Sequence, residues 1–346
     1  MEMKMTINIK YILFVLNNTV LRPFVLLMMA LMLTGCGGNG QLPSAPIVNL
    51  TNRTFVSSNG AGALSVIDNL SNMVVSTIKV GTGPQGVAVN AATHRVYVTN
   101  SGSNTLSVID TNSNVVIATV GVGGGPRGIA VNPSTNRAYV ADSSSNMLSI
   151  VDTGSNSVIA TISVGGTGPQ DVALNSATGR IYVANGTSNN ISVIDTTNNA
   201  VIALVAVGLG PQGVALHPAA NRAYVANNNS NSLSVIDISN NTLIATITVG
   251  TNPQAVAVDP GANRAYVVNG GSNTLTVINT TANSVVTTIH VGTAPQGVAV
   301  NPAAHRVYVT NSDSDTLSVI DTGTNTVVAT VAMGAGVGPR GVAVIP

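Results

Sequence analysis

Side chains able to do acid–base, nucleophilic or metal chemistry are few in this chain and widely spaced. The four histidines, His94, His217, His290 and His305, fall far apart, and no two have metal-ligand spacing. Cys36 is the single cysteine, so there is no intramolecular disulfide and no Cys-x-x-Cys-His for haem attachment. Past Cys36 every acidic residue is an aspartate. Asp142, Asp313 and Asp315 fall in polar stretches between apolar runs, where weak Ca2+ binding competes with the simpler reading of Asn/Asp-rich hairpin turns. What recurs is a Pro-(Gln/Arg) pair, giving Gln85, Arg127, Gln170, Gln212, Gln254, Gln296 and Arg340. Gly or Ala follows six of these pairs and Asp171 follows the seventh. Amides and guanidiniums suit recognition of a small anion or a peptide carboxylate rather than bond-making, because two fixed guanidiniums can hold it bidentately. The competing reading is that they satisfy turn carbonyls between neighbouring modules.

The elements that position these residues follow from an internal period. Arg-x-(Tyr/Phe)-Val recurs at Arg53, Arg95, Arg137, Arg180, Arg222, Arg264 and Arg306, at spacings of 42 residues and once 43. Each arginine is followed by an apolar run ending at Asp68, Asp110, Asp152, Asp195, Asp237, Asn279 or Asp321, then by Asn at 72, 114, 156, 199, 241, 283 and 325. One period reads as four strands: A over 86–90, B over 95–99, C over 105–110 and D over 115–120. The Asn114 series fits a C–D hairpin needing positive φ, and Asp110 can bond that turn's backbone. In B–C pairing Arg95 faces Asp110, so the two series are expected cross-strand partners.

A four-stranded unit of this length repeated radially predicts an all-β, seven-bladed β-propeller. The chain enters its first repeat at strand B and ends with a lone strand A, 341–344, which is expected to pair with residues 54–57 and leave no strand unmatched. Alternating strands place the D–A and B–C loops on one face, where the Gln/Arg series would ring the channel mouth. Arg127 and Arg340 flank the blade of Gln85 there.

The N-terminal part reads differently. Residues 23–35 form an apolar run after Arg22 that is too short to span a bilayer. Leu33-Thr34-Gly35-Cys36 resembles the lipobox of bacterial lipoproteins, which implies a signal peptide over 1–35, a lipidated Cys36 with a flexible tether over 36–52, and the propeller over 53–346. That resemblance implies export and anchoring in the cell envelope. Gly37, where inner-membrane retention favours Asp, points to the outer membrane or the cell surface. The leader is longer than usual, with Lys4 and Lys10 upstream.

Beyond Cys36 the positive residues are Lys79 and arginines, nearly balanced by aspartates. A near-neutral body offers little counterion release, so no nucleic-acid partner is expected. Tyr97-Val98-Thr99-Asn100 and Tyr308-Val309-Thr310-Asn311 resemble the YVTN-family (YncE-like) propeller repeat, whose members include surface-layer and exported proteins regarded mostly as binding or structural modules. The expected function is a non-enzymatic binding or scaffolding lipoprotein with a monomeric body, no cofactor, and an envelope protein or small ligand as partner. An exported lactonase- or lyase-like hydrolase with a site at the central channel is the alternative, and a surface-layer-like structural protein the third.

Overall fold

In a computed structural model of the chain, residues 52–345 are described. Cys36, its lipobox and the tether up to residue 51 lie outside the described residues. The body comprises seven four-stranded antiparallel sheets, and in six of them four consecutive strands pair in chain order. The seventh combines Arg53–Ser58, Ala63–Asp68 and Met73–Lys79 with the last strand, Pro339–Ile345. Thr54 pairs with Val344, Phe55 with Ala343 and Val56 with Val342. The fold is the expected seven-bladed β-propeller, closed by its C-terminal strand.

Strands B and C are buried along nearly their whole length because successive side chains point to opposite faces and both faces of each blade meet a neighbour. The core therefore lies in slabs between blades. One slab joins Tyr97, Leu106 and Val108 to Ala138, Val140 and Val151 of the next blade. Another carries Phe55, Leu64 and Val66 against Val96, Val98 and Ile109, with Ile345 completing it. The repeat aromatic is the largest buried side chain of each blade, Phe55 and six tyrosines at 0–1% exposure. Burying one aromatic of the size of Phe55 contributes about 2 kcal/mol. For the tyrosines the hydroxyl offsets part of this, since Tyr97 and Tyr266 bury theirs without a partner.

Turn chemistry sets the register. All seven residues of the Asn114 series have positive φ, Asn114 at 55°. Asp110 accepts from the backbone N–H of Asn112 and Ser113 at 3.0 and 2.9 Å. A second left-handed series, at Asn104, Asn146, Asn189, Asn231, Asn273 and Asp315, escaped the sequence reading. Its side chains tie the B–C turn to the D–A loop on the same face, as where Asn104 Oδ1 accepts from Gly125 N at 2.8 Å. Arg95 faces Asp110 in register, as expected. The side chains form ion pairs at Arg53–Asp68, Arg222–Asp237 and Arg306–Asp321, whereas Arg95 donates to the Thr153 carbonyl of a neighbouring blade.

Strand A is longer than expected. It spans Pro84–Asn90 rather than starting at Gly86, and its register with strand B shifts between Pro84 and Val87. Proline is tolerated there because the first residue of a strand need not donate to the ladder. Outermost strand D has no further partner and exposes apolar side chains such as Val115, Ile117, Leu243 and Ile244. A bulge in each C–D pairing, between Val108 and Ile109 in one blade, twists this edge.

Asn114→Ala places a Cβ-bearing residue in the left-handed region without the side-chain compensation that asparagine supplies. The expected loss is about 1 kcal/mol, with Asn114→Gly close to neutral, both read from urea midpoints.

Candidate functional site

The seven A strands contact one another successively around the axis, including Pro339–Ile345 against Pro84–Asn90. Gln85 and its six counterparts are the second residues of these strands rather than loop residues, a correction to the expected placement. They enclose a cavity of about 200 Å³, and all eight residues singled out from the sequence line it: Gln85, Arg127, Gln170, Asp171, Gln212, Gln254, Gln296 and Arg340. The strand order makes Arg340, Gln85 and Arg127 consecutive, with Asp171 on the blade beyond Arg127.

The inner strands approach so closely that a Cβ at Gly341 would meet the Gln85 carbonyl oxygen, and one at Gly86 the Arg127 carbonyl oxygen. Hydroxyls fix this approach on one side of the ring. Thr99 Oγ1 accepts from Gly86 N at 2.8 Å and donates to the Arg127 carbonyl at 2.5 Å. Thr310 does the same between Gly297 N and the Arg340 carbonyl, and Ser57 between Gly341 N and the Gln85 carbonyl. Three hydroxyls therefore pin the backbones of Arg127, Arg340 and Gln85. The remaining blades carry Ala141, Ala184, Ala226 and Val268 at this position. Sequence reading missed these positioning residues. Their signal was the Thr/Ser-versus-Ala alternation two residues after each repeat aromatic.

Among the described residues no carboxylate pairs with Arg127 or Arg340, in contrast to the ion-paired arginines at the outer ends of strand B. Desolvation first, and the neighbouring Arg340 charge second, lower the Arg127 pKa from its ordinary value. Guanidinium stays protonated in proteins regardless, so the mouth holds two cations with which no described carboxylate forms an ion pair. Asp171 accepts from its own-strand Val172 N at 2.9 Å and from Val214 N of the next blade at 3.0 Å. Desolvation raises its pKa to about 6, against the lowering effect of those two N–H groups. Asp171 lines the same cavity as the two arginines. Gln170 donates from Nε2 to Ser143 Oγ at 3.2 Å and to the Gly168 carbonyl at 3.1 Å, while its Oε1 is buried without a donor.

The other candidates lie elsewhere. His94 and His305 occupy left-handed A–B turns at the far end of strand A. His217 is buried at a strand end with neither ring nitrogen partnered, and His290 is exposed on an outer strand. Among the described residues no three His, Cys, Asp or Glu side chains gather as a metal site. Asp315 spends both carboxylate oxygens on Gly336 N and Gly338 N of the adjoining loop. Asp313 is exposed and accepts from Ser312 Oγ. Asp142 is no loop residue: it ends strand B, fully buried, where five other blades have Asn.

A family model described as "Lactonase, 7-bladed beta-propeller" matches residues 195–345, less than half of the chain. No curated protein matches it. A functionally unknown protein from Desulfotomaculum acetoxidans DSM 771 aligns at TM-score 0.73 and 18% identity, over 85% of this chain and 98% of that one. Hydrazine synthase of Kuenenia stuttgartiensis aligns at TM-score 0.70 and 20% identity, over 82% and 99% of the two chains. The dihydro-heme d1 dehydrogenase NirN, in complex with DHE, aligns at 0.65 and 14% identity, over 88% and 78%. At these identities the likeness is one of fold.

Asp142 provides a test of the body's electrostatics. It accepts from Ser149 Oγ at 2.6 Å while its Oδ1 is buried without a partner, and desolvation raises its pKa to about 6. Its neutral form is favoured in the folded state, so stability is fully present below the unfolded value near 3.8 and is lost as pH rises toward 6. By pH 7 the penalty is on the order of 3 kcal/mol. Asp142→Asn restores the side chain of five other blades, as in Asn100, which donates to Ser107 Oγ at 3.0 Å. The variant should exceed the parent in thermal stability at pH 7.5 and match it near pH 4.

Proposed function

We propose that this chain is a non-enzymatic binding module of the cell envelope that receives a small carboxylate at the mouth of its central channel. The observation that carries this reading is the pair Arg127 and Arg340. Two guanidiniums without an ion-pair partner line one cavity of about 200 Å³ on either side of Gln85, with backbones held by Thr99 and Thr310. A carboxylate can accept from both and from the Gln85 amide, and such charge-assisted bonds are stronger than neutral ones. The cavity is smaller than the roughly 300–1,000 Å³ that drug-sized ligands occupy, which suits a small molecule or the end of a peptide. The Leu33–Cys36 lipobox supports tethering of this body to a membrane, outer membrane or cell surface, through lipid on Cys36.

A second reading is hydrolysis at the same channel, favoured by the match of residues 195–345 to a lactonase family. Among the described residues Asp171 is the one carboxylate lining the cavity and would have to act as the base. What supports binding instead is that this carboxylate already accepts two backbone hydrogen bonds.

The test is calorimetric titration of the purified full chain with L-lactate, a carboxylate of fitting size. Arg127→Ala/Arg340→Ala is expected to weaken binding by about 10- to 100-fold with an unchanged thermal midpoint. Lactate binding that survives the double substitution, or lactone turnover abolished by Asp171→Asn, would overturn the reading.

A further inference from the structure

A carboxylate in the wall of an anion site is a contradiction that needs a physical reason. Asp171 lines the same cavity as Arg127 and Arg340, in the slot where the other six blades have Gly or Ala. A plain anion held by the arginines would meet its negative charge across the same small cavity, an unfavourable like-charge contact. Packing alone does not call for the charge, because Gly213, Ala255 and Gly297 serve the same slot on the next three blades.

The carboxylate is also rigid and only partly used. An ionised carboxylate offers about four lone-pair sites, and Val172 N and Val214 N occupy one on each oxygen. Gln170, beside it on the same strand, keeps its Oε1 buried and without a donor. One arc of the ring therefore has unspent donors, at Arg340 and Arg127, and the adjoining blade has unspent acceptors.

We infer that the ligand is a small zwitterion of the α-amino acid class, its carboxylate on Arg127 and Arg340 and its ammonium on Asp171. The inference rests on the carboxylate reading above and adds a second charge to it. An ammonium adds donors to the remaining lone pairs of Asp171, and its positive charge removes the repulsion that a plain anion suffers. The volume agrees: about 200 Å³ is the room of some seven water molecules, enough for an amino acid with a small side chain.

The comparison that isolates the ammonium is L-alanine against L-lactate, equal in shape except for ammonium in place of hydroxyl. On the purified full chain at pH 7.5, L-alanine is expected to bind about 10-fold or more tightly than L-lactate. Taking the pH from 7.5 to 5 crosses the value of about 6 for Asp171, so the alanine preference should fade as the carboxylate takes up a proton, with lactate binding undiminished. Besides buried tyrosines, the charged and titratable groups on strands packed against that of Asp171 are Arg127, Arg137, Asp142, Arg180 and His217. Of these only Arg127 shares the cavity. Asp171→Asn separates the carboxylate from the rest and should bring the alanine-to-lactate ratio near one at both pH values. The wild-type pH series stands by itself if that variant folds poorly. Lactate binding that depends on Arg127 and Arg340 but equals or exceeds alanine binding overturns the zwitterion and leaves the carboxylate site standing. An alanine preference that persists at pH 5 or in Asp171→Asn also overturns it. Failure of both ligands to bind overturns both readings.

Discussion

Seven inner strands must share one axis, and the spacing this enforces governs the rest of the molecule. Where Gly341 and Gly86 pass the Gln85 and Arg127 carbonyls there is no room for a Cβ, so the residue lining the wall just past the mouth is small in six blades. The side chains one position earlier thereby become the rim of the cavity. Apolar packing holds the strands at this distance, because each slab between blades is filled by a buried aromatic and its neighbours. The polar mouth is a product of the core.

Much of this architecture was legible because the repeat is local and its turns have specific chemistry. The Asn114 series needed only its spacing and the tolerance of asparagine for positive φ to be placed in a hairpin. The Arg/Asp facing register followed from the same count. Other features were hidden for identifiable reasons. Asp142 reads as a turn residue by composition, whereas its burial depends on Ser149 seven residues away across the hairpin. The Asn104 series bonds to loops about twenty residues onward, a separation at which no short pattern repeats.

The ring of side chains was legible, and its asymmetry only in part. Arg127, Arg340 and Asp171 stand out from the glutamines by type alone. That Thr99, Thr310 and Ser57 hold the backbones of Arg127, Arg340 and Gln85 is a relation between blades, since each hydroxyl belongs to the blade preceding the residue it fixes. A near-symmetrical scaffold has thus been made one-sided by two kinds of change, charge on the rim and hydroxyls behind it. The blade with Asp171 lacks such a hydroxyl, having Ala184, and its carboxylate supplies the bridge to Val214 N instead.

Pairing of Arg53 with Ile345 has a topological consequence. Strands A and B are joined elsewhere by a four-residue turn, as from Asn90 to Arg95, and the same turn could covalently link residue 345 to residue 53. The backbone could then be opened in a D–A loop between any two sheets, and every ladder would survive. Circular permutants of the body are thus equivalent in their contacts, and the order in which the blades emerge during synthesis is independent of the arrangement they finally share.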